Sequence, residues 1–447
     1  MADGTNRTEI FENMPVRAAV IKQIVPAIAS QLMTLVYNLA DTYFVGRLNN
    51  PNETAAITVA YSSFLMLTAV SNLFGVGGAS AIARALGRKE IQRAKQLSSI
   101  AFWFGLITAI VYSMVFAVFA HPILILCGAT QETYDIVFGY AKWVIILGGP
   151  ATVLNMLLAN LVRSEGSAAS AFVGVTFGGV LNVVLDPIFI LPEFLGMGAA
   201  GAGIATALSN LAATMYFLGY ILRKKEKTAL SIHPKYLRSG KEQLKSILAV
   251  GLPSALQYGL TVVAVAAQSK FVSKYPTEAV AALGIAKKLD QLPLYFSIGT
   301  ANGLMPFLAY NYSAGNQERR KKAFRFGCGI SVFFALLCLV VYEIFAPQLT
   351  SVFIHDFVTI NYGSAFLRCM VTAMPLMAFC YPMIIQFQAM GKVKAALICS
   401  ILRKGVLDIP LLFLMDSIFP LYGCMWVQPI VDFISLLAAI GYYKKEK

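Results

Sequence analysis

Four polar side chains in the first half of the chain lie within long apolar segments. Asp41, Asn182, Asp186 and Thr206 supply carboxylate, amide and hydroxyl oxygens, which are hard ligands suited to Na⁺. Two neighbouring carboxylates also repel each other, so that one of them would carry a proton. Pro187 cannot donate a backbone hydrogen bond and leaves a carbonyl free beside Asp186. These residue types predict a site for Na⁺ or H⁺. The alternative is a helix cap at Asp41 and a structural hydrogen bond at Asp186.

The segments that carry these residues are typical of an integral membrane protein. Of the 447 residues, 58% are hydrophobic and 13% are charged, whereas a soluble domain carries roughly 25% charged residues. Apolar runs with their uncharged flanks reach the ~20 residues that a helix needs to cross hydrocarbon. We predict an all-α fold of twelve transmembrane helices at 17–46, 54–83, 97–120, 133–161, 168–192, 199–222, 246–273, 278–310, 324–346, 357–388, 394–415 and 420–443.

The predicted spans place the four polar residues at one depth. Asp41 lies about five residues before the end of the first span, Asp186 about six before the end of the fifth, and Thr206 about seven into the sixth, at ~1.5 Å per residue. Asn182 precedes Asp186 by one helical turn and shares its helix face. We therefore expect the four side chains to lie together.

The chain is a tandem repeat, because landmarks recur in order about 226 residues later. The paired landmarks include Pro26 and Pro253, Pro150 and Pro375, and Gly166 and Gly391. The repeat predicts two parallel, pseudo-symmetric six-helix bundles: an N-lobe at 1–222, a linker at 223–245 and a C-lobe at 246–447. The paired prolines interrupt four spans, and Pro26 is a candidate bending point. Gln268 occupies the position in the second half that is equivalent to Asp41, so the acidic site is not duplicated.

Basic residues are concentrated in alternate loops, notably at 84–95, 223–245 and 319–322. Because Lys and Arg accumulate on the cytoplasmic side, both termini are expected to be cytoplasmic. The net charge of +14 is then explained without nucleic acid, and the basic face could attract anionic membrane lipid.

The second half carries its own charged residues inside spans, where each is a functional-site hypothesis. We expect a cleft between the lobes with a polar wall on this side and adaptable apolar contacts on the other. The candidates for this substrate cleft are Met33, Tyr37, Lys288, Asp290, Arg403 and Asp408, with Lys287 and Lys404 beside them. The alternative is that these charges pair with one another to neutralise buried charge.

Enzyme chemistry is not indicated. The seven cysteines form no C-x-x-C pair, and the three histidines are far apart in sequence. We therefore expect neither an enzyme nor a cofactor.

The motifs resemble those of the multidrug and toxic compound extrusion (MATE) transporters over almost the whole chain, from about residue 15 to residue 443. The matching segments are NLADTYFVGRL at 38–48, NLFGVGGASAIARALGRKE at 72–90, RSEGSAASAF at 163–172, LNVVLDPIFI at 181–190, GAAGAGIATALSN at 198–210 and PFLAYNYSAGNQERRKKAF at 306–324. The resemblance implies two six-helix bundles and export of amphipathic, often cationic compounds in exchange for H⁺ or Na⁺.

The resemblance also implies roles for particular residues. The cation site of the DinF-like branch maps onto Asp41, Asn182, Asp186 and Thr206, and its bending proline maps onto Pro26. A branch that uses a C-lobe glutamate would place it where Thr261 stands. DinF-like or MepA-like membership is therefore favoured.

The expected function is secondary active efflux of organic molecules by an antiporter that alternates access between the two sides of the membrane. The resemblance implies a monomer in a bacterial plasma membrane that binds small organic cations. The alternative is a flippase for lipid-linked oligosaccharides of the same superfamily, which the cations Lys287, Lys288, Arg403 and Lys404 keep open.

Overall fold

A computed structural model describes residues 8–224 and 227–445. The ends of both predicted lobes at 1–7 and 446–447, and residues 225 and 226 of the predicted linker, lie outside the described residues. The first half contains α1 (Glu9–Glu12), α2 (Val16–Gly46), α3 (Pro51–Gly87), α4 (Ile91–Val118), α5 (Ala120–Leu126), α6 (Tyr134–Ala141), α7 (Gly149–Ser164), α8 (Ala168–Ile190) and α9 (Gly198–Arg223). A π-helical segment, Lys142–Leu147, joins α6 to α7.

The second half begins after a 3₁₀ turn, Pro234–Ser239. It contains α10 (Gly240–Val272), α11 (Thr277–Ser313), α12 (Gln317–Ser351), α13 (Phe357–Val371), α14 (Met374–Ala389), α15 (Val393–Ile401), α16 (Asp408–Ile418) and α17 (Gly423–Lys445). The segment Leu402–Val406, in which Lys404 and Gly405 have non-helical backbone angles, joins α15 to α16. We call α2 to α9 the N-lobe and α10 to α17 the C-lobe.

The helices account for the twelve predicted spans. Within the described ranges, eight helices are long and apolar enough to cross a membrane, and two bent pairs, α6 with α7 and α13 with α14, raise the number to ten. The remaining predicted spans correspond to α11 and to α15 with α16. Both carry several charged residues, which lowers their hydropathy.

The paired prolines act in two ways. Pro150 and Pro375 lie in the first turns of α7 and α14, just after bends of 52° and 43°. A proline is well suited to that position, because the first backbone N–H groups of a helix have no intrahelical acceptor. Pro26 and Pro253, by contrast, lie inside the unbroken helices α2 and α10. Pro26 thus stays a candidate bending point within a continuous helix.

The two lobes touch closely at the end that carries both termini. A Cβ atom added at Gly251 of α10 would lie 1.8 Å from the backbone oxygen of Leu73 on α3, and one added at Gly77 would lie 2.2 Å from the backbone oxygen of Ile247. Only glycine permits backbones to approach this closely. The Ser80 hydroxyl adds a hydrogen bond of 2.7 Å to the C-lobe backbone.

The short helix α1 belongs in sequence to the N-lobe but packs on the C-lobe. Phe11 is fully buried and stacks on Tyr310 of α11 with ring centroids 5.0 Å apart. The Arg319 guanidinium donates to the Phe11 carbonyl at 2.7 Å and also to the Met14 carbonyl. The segment around α1 thus connects the two lobes at the end of the molecule that carries both termini, which we call the closed end.

The described part of the linker packs on the N-lobe. The buried carboxylate of Glu165 accepts hydrogen bonds from the Thr228 hydroxyl at 2.6 Å and from the Ala229 N–H at 3.1 Å. The Trp103 indole donates to the Ile232 carbonyl at 2.9 Å. These hydrogen bonds hold the described part of the linker against the N-lobe.

Candidate functional site

Three helices of the N-lobe bring the four predicted polar residues together. Asp41 comes from α2, Asn182 and Asp186 from α8, and Thr206 from α9. The helices approach closely because α8 presents glycine to its neighbours, and Gly179 leaves room for Met33. Asp41 is 5% exposed and Asp186 is fully buried.

The amide of Asn182 lies between the two acids. In one orientation its nitrogen is 3.4 Å from Asp186 Oδ1 and 3.5 Å from Thr206 Oγ1. With the amide reversed, the nitrogen donates to Asp41 Oδ1 at 3.0 Å and the oxygen accepts from the Thr206 backbone N–H at 3.3 Å. The reversed amide matches each donor with an acceptor, so we assign that orientation.

The described protein groups do not provide hydrogen-bond partners for all the carboxyl oxygens of Asp41 and Asp186. The carboxyl groups of Asp41 and Asp186 lie within hydrogen-bonding reach of each other, and Oδ2 of Asp186 is buried without a hydrogen-bond partner among the described residues. Two charged carboxylates cannot hydrogen-bond to each other, because neither has a donor. The arrangement is suited to binding one proton or one small cation.

Asp41 lies inside α2, five residues before the helix ends at Gly46. It therefore does not cap a helix end. The other element of the structural alternative, a hydrogen bond at Asp186, is formed with Asp41, which belongs to the same cluster.

A cavity of about 390 Å³ lies between the lobes and borders the acid pair. Asn182 and Thr206 line it, in front of Asp41 and Asp186. Methionine and tyrosine side chains form much of the remaining wall, including Met156, Met370, Met374, Met377, Tyr258 and Tyr295. Its volume is within the range of roughly 300 to 1,000 Å³ that is usual for small-molecule sites.

The C-lobe wall of the cavity is charged. Arg403, only 1% exposed, pairs with the fully buried Asp432 at 2.8 Å and lies 4.1 Å from the centre of the Tyr381 ring. Lys404 donates to the side-chain oxygen of Gln428. The alternative for this cluster was that its charged residues pair with one another. Arg403 does form an ion pair, but its partner, Asp432, lies on α17.

A break in the helix aims these basic side chains at the cavity. Lys404 has an extended backbone and Gly405 has a φ of +118°, so the chain leaves the helical path between α15 and α16. A positive φ of this size favours glycine. The Asp408 carboxylate accepts from the Gly405 N–H at 2.6 Å, which stabilises the start of α16.

The predicted cleft residues separate into two groups. Tyr37, Asp290 and Arg403 line the cavity. Three others lie elsewhere: Met33 packs on α8, Lys288 is on an exposed face of α11, and Asp408 stabilises the start of α16. Lys287 lines the cavity where Lys288 does not, because one residue rotates a side chain about 100° around a helix.

Asp432 and Gln428 of α17 also line the cavity, although neither was among the residues predicted from the sequence. Asp432 is an ionisable residue in an apolar span, so the rule applied to Asp41 could have found it. Arg163, the first residue of the segment RSEGSAASAF, is 4% exposed and also lines the cavity. Thr261, where one MATE branch has a glutamate, also lines the cavity.

Comparison with known proteins identifies the family. The MatE sequence profile matches residues 26–188 and again 253–414. "Multidrug export protein MepA" of Staphylococcus saprophyticus is 30% identical over 430 residues, covering 96% of this chain and 94% of that protein. The protein of the same name from Staphylococcus aureus strain MRSA252 is 29% identical over 431 residues, with the same coverage.

A solved structure supports the fold. An outward-facing multidrug resistance MATE family transporter of the MOP superfamily matches with a TM-score of 0.91 and 24% identity, covering 99% of this chain and 98% of that one.

Two helical lobes around a central cavity, with an acid pair buried in one wall, define a multi-pass membrane transporter of the two-bundle type. The chain belongs to the MatE family of transporters. Family membership confirms the predicted fold class and internal repeat, and also that the protein is not an enzyme.

Proposed function

We propose that this protein exports amphipathic small molecules in exchange for protons that bind between Asp41 and Asp186. The observation that carries the proposal is the buried acid pair beside Asn182 and Thr206, which line the central cavity. Its relatives are named multidrug export proteins, which supports the same class of substrate. Protein side chains supply the whole mechanism, so no cofactor is needed.

Coupling follows from the position of the acids. When the pair holds no proton, it carries negative charge behind the cavity wall and favours a cationic substrate. When a proton binds, that attraction falls and the Asp41–Asp186 pair can form a hydrogen bond. Proton and substrate therefore compete through electrostatics, and each releases the other.

A proton explains the site better than Na⁺. Two carboxyl groups within hydrogen-bonding reach are completed by a single proton, whereas a metal ion would need its oxygen ligands spread around it. Na⁺ binding by Asp41, Asn182, Asp186 and Thr206 remains the competing outcome of the test.

The conformation fits the release stage of export. The lobes are sealed by glycine contacts and by α1 at the end that carries the termini. If that end is cytoplasmic, as the basic loops indicate, the cavity is closed to the cytoplasm. Pro26 lies on this closed half of α2 and leaves the carbonyl of Lys22 without its helical donor, which makes it the bending point.

The cavity lining suits varied substrates. Methionine side chains are flexible and polarizable, and tyrosine rings supply flat amphipathic contacts. We propose that one copy of the chain transports without a partner subunit and that its basic face contacts anionic lipid. The flippase alternative is not favoured, because the curated relatives above are named export proteins.

The test is dye efflux from proteoliposomes under an imposed proton gradient, with Asp41→Asn as the critical variant. The amide cannot accept the coupling proton, so we expect transport to fall to the level of protein-free vesicles. The matched control is Asp135→Asn, which removes an exposed carboxylate of the same lobe and should leave efflux unchanged. Full proton-driven efflux by Asp41→Asn would contradict the assignment of Asp41 as a proton-binding residue.

A further inference from the structure

The cavity has more positive than negative side chains on its walls. Four cationic side chains line it, Arg163, Lys287, Arg403 and Lys404, against two acidic ones, Asp290 and Asp432. Asp41 and Asp186 lie behind the opposite wall. We propose that Lys287 and Lys404 form a subsite for a carboxylate of the substrate, so that the preferred substrates are zwitterions. This inference rests on the proposed export function.

Lys287 provides the main argument that this wall binds an anionic group of the substrate. Its ammonium group is buried and has no hydrogen-bond partner within the described part of the chain. The charged groups that face it are Lys404, which repels it, and Asp290, which attracts it. Neither lies within hydrogen-bond distance of its nitrogen. A buried ammonium with no partner is costly, and an anionic ligand would remove that cost.

The other charges of the wall do not supply this anion. Asp432 is engaged by Arg403 at 2.8 Å. Asp408 accepts from the Gly405 N–H and does not line the cavity. Lys404 faces Asp408, Asp432 and Asp290, but its hydrogen bond goes to the neutral Gln428. Lys287 faces a single carboxylate, Asp290, which it shares with Lys404.

A carboxylate is the ligand group that fits this wall. Lysine acts as a compact point charge that does not require a planar anion, and two ammonium groups can donate to the two oxygens of one carboxylate. The apolar methionine wall between the lobes would contact the body of the ligand. The ligand cation would then lie toward Asn182 and Thr206, in front of the acid pair.

The experiment uses two fluorescent probes that differ in a single group. One is a zwitterionic rhodamine with a free benzoate, and the other is its methyl ester, which is a cation. Equilibrium binding to the purified full chain is measured for the wild type, Lys287→Met and Lys404→Met. We expect each variant to bind the free acid about tenfold or more weakly, as for loss of a hydrogen bond between charged groups, and the ester within about twofold of wild type.

Three controls make the result specific. Lys287→Arg should restore most of the affinity for the free acid, and Lys270→Met, which removes a cation from an exposed face of α10, should change neither affinity. Thermal unfolding checks that each variant folds. If Lys287→Met does not fold, Lys404→Met still tests the subsite.

The outcomes separate this inference from the export function. Equal losses for both dyes, no loss for either, or a wild type that binds neither dye would each overturn the subsite. A wild type that binds the free acid in the lysine-dependent way but moves neither dye across the membrane would support the subsite and count against export.

Discussion

Arg403 and Asp432 show how single residues make a charged cavity wall tolerable inside a membrane. Their side chains are 1% and 0% exposed, and the contact between them is 2.8 Å. A buried ion pair contributes little net stability, because desolvation offsets its attraction, but removing one partner leaves the other charge uncompensated. The pair is therefore retained for the charge pattern of the cavity more than for stability.

Removing Arg403 alone should destabilise the protein. We predict that Arg403→Met lowers the free energy of unfolding by about 3–5 kcal/mol, because Asp432 is left buried without a partner. The double variant Arg403→Met with Asp432→Leu should recover most of that loss. Chemical denaturation in detergent measures both, and a double variant no more stable than the single one would contradict the argument.

The residues that sequence reasoning located correctly lie on regular helices. Asp41, Asp186 and Thr206 could be placed at one depth, because rise per residue is constant along a helix. Lys287 and Lys288 could not be distinguished, since the direction of a side chain depends on how α11 is rotated against its neighbours. Asp408 was expected at the cleft because a continuous helix was assumed there, whereas the chain leaves the helix at Gly405.

At the scale of elements, α1 is a clamp between the lobes. Its contacts come from the end of α11, where Tyr310 stacks on Phe11, and from the first turn of α12, where Arg319 donates to the carbonyls of Phe11 and Met14. Asn311 donates to the Phe11 carbonyl as well, at 3.4 Å. Because α1 has only four residues, such contacts rather than its own helix propensity hold it in place.

We predict that Arg319→Ala releases α1. The Met14 carbonyl loses its donor and the Phe11 carbonyl keeps only the longer bond from Asn311, so a protease should cut between residues 8 and 15 several-fold faster than in the wild type. Lys322→Ala is the control, since Lys322 pairs with Glu318 on an exposed surface. Equal cleavage rates in the wild type and Arg319→Ala would mean that the contacts of α1 with α11 hold it without Arg319.

The whole molecule is held in one conformation by contact between the lobes at the end that carries the termini. Gly251 and Gly77 allow α10 and α3 to touch backbone to backbone there. Alternating access requires this contact to form and break, so its strength sets the balance between the two conformations.

We predict that Gly251→Leu opens the closed end, because no side chain fits against the Leu73 backbone. Hydrogen–deuterium exchange should rise around residues 73–77 and 247–251. Gly259→Leu lies on the same helix with nothing within 4 Å of its Cβ position and should leave the exchange unchanged. Protection as strong in Gly251→Leu as in the wild type would contradict the glycine seal.

The central claim is that one proton binds between Asp41 and Asp186 in exchange for substrate. The most direct measurement is the pH inside proteoliposomes loaded with dye, as the dye leaves down its own gradient with no ion gradient imposed. We predict that the lumen acidifies with the wild type and that neither Asp41→Asn nor Asp186→Asn changes the pH. Dye exit through the wild type without acidification, or acidification by Asp41→Asn equal to the wild type, would contradict the account.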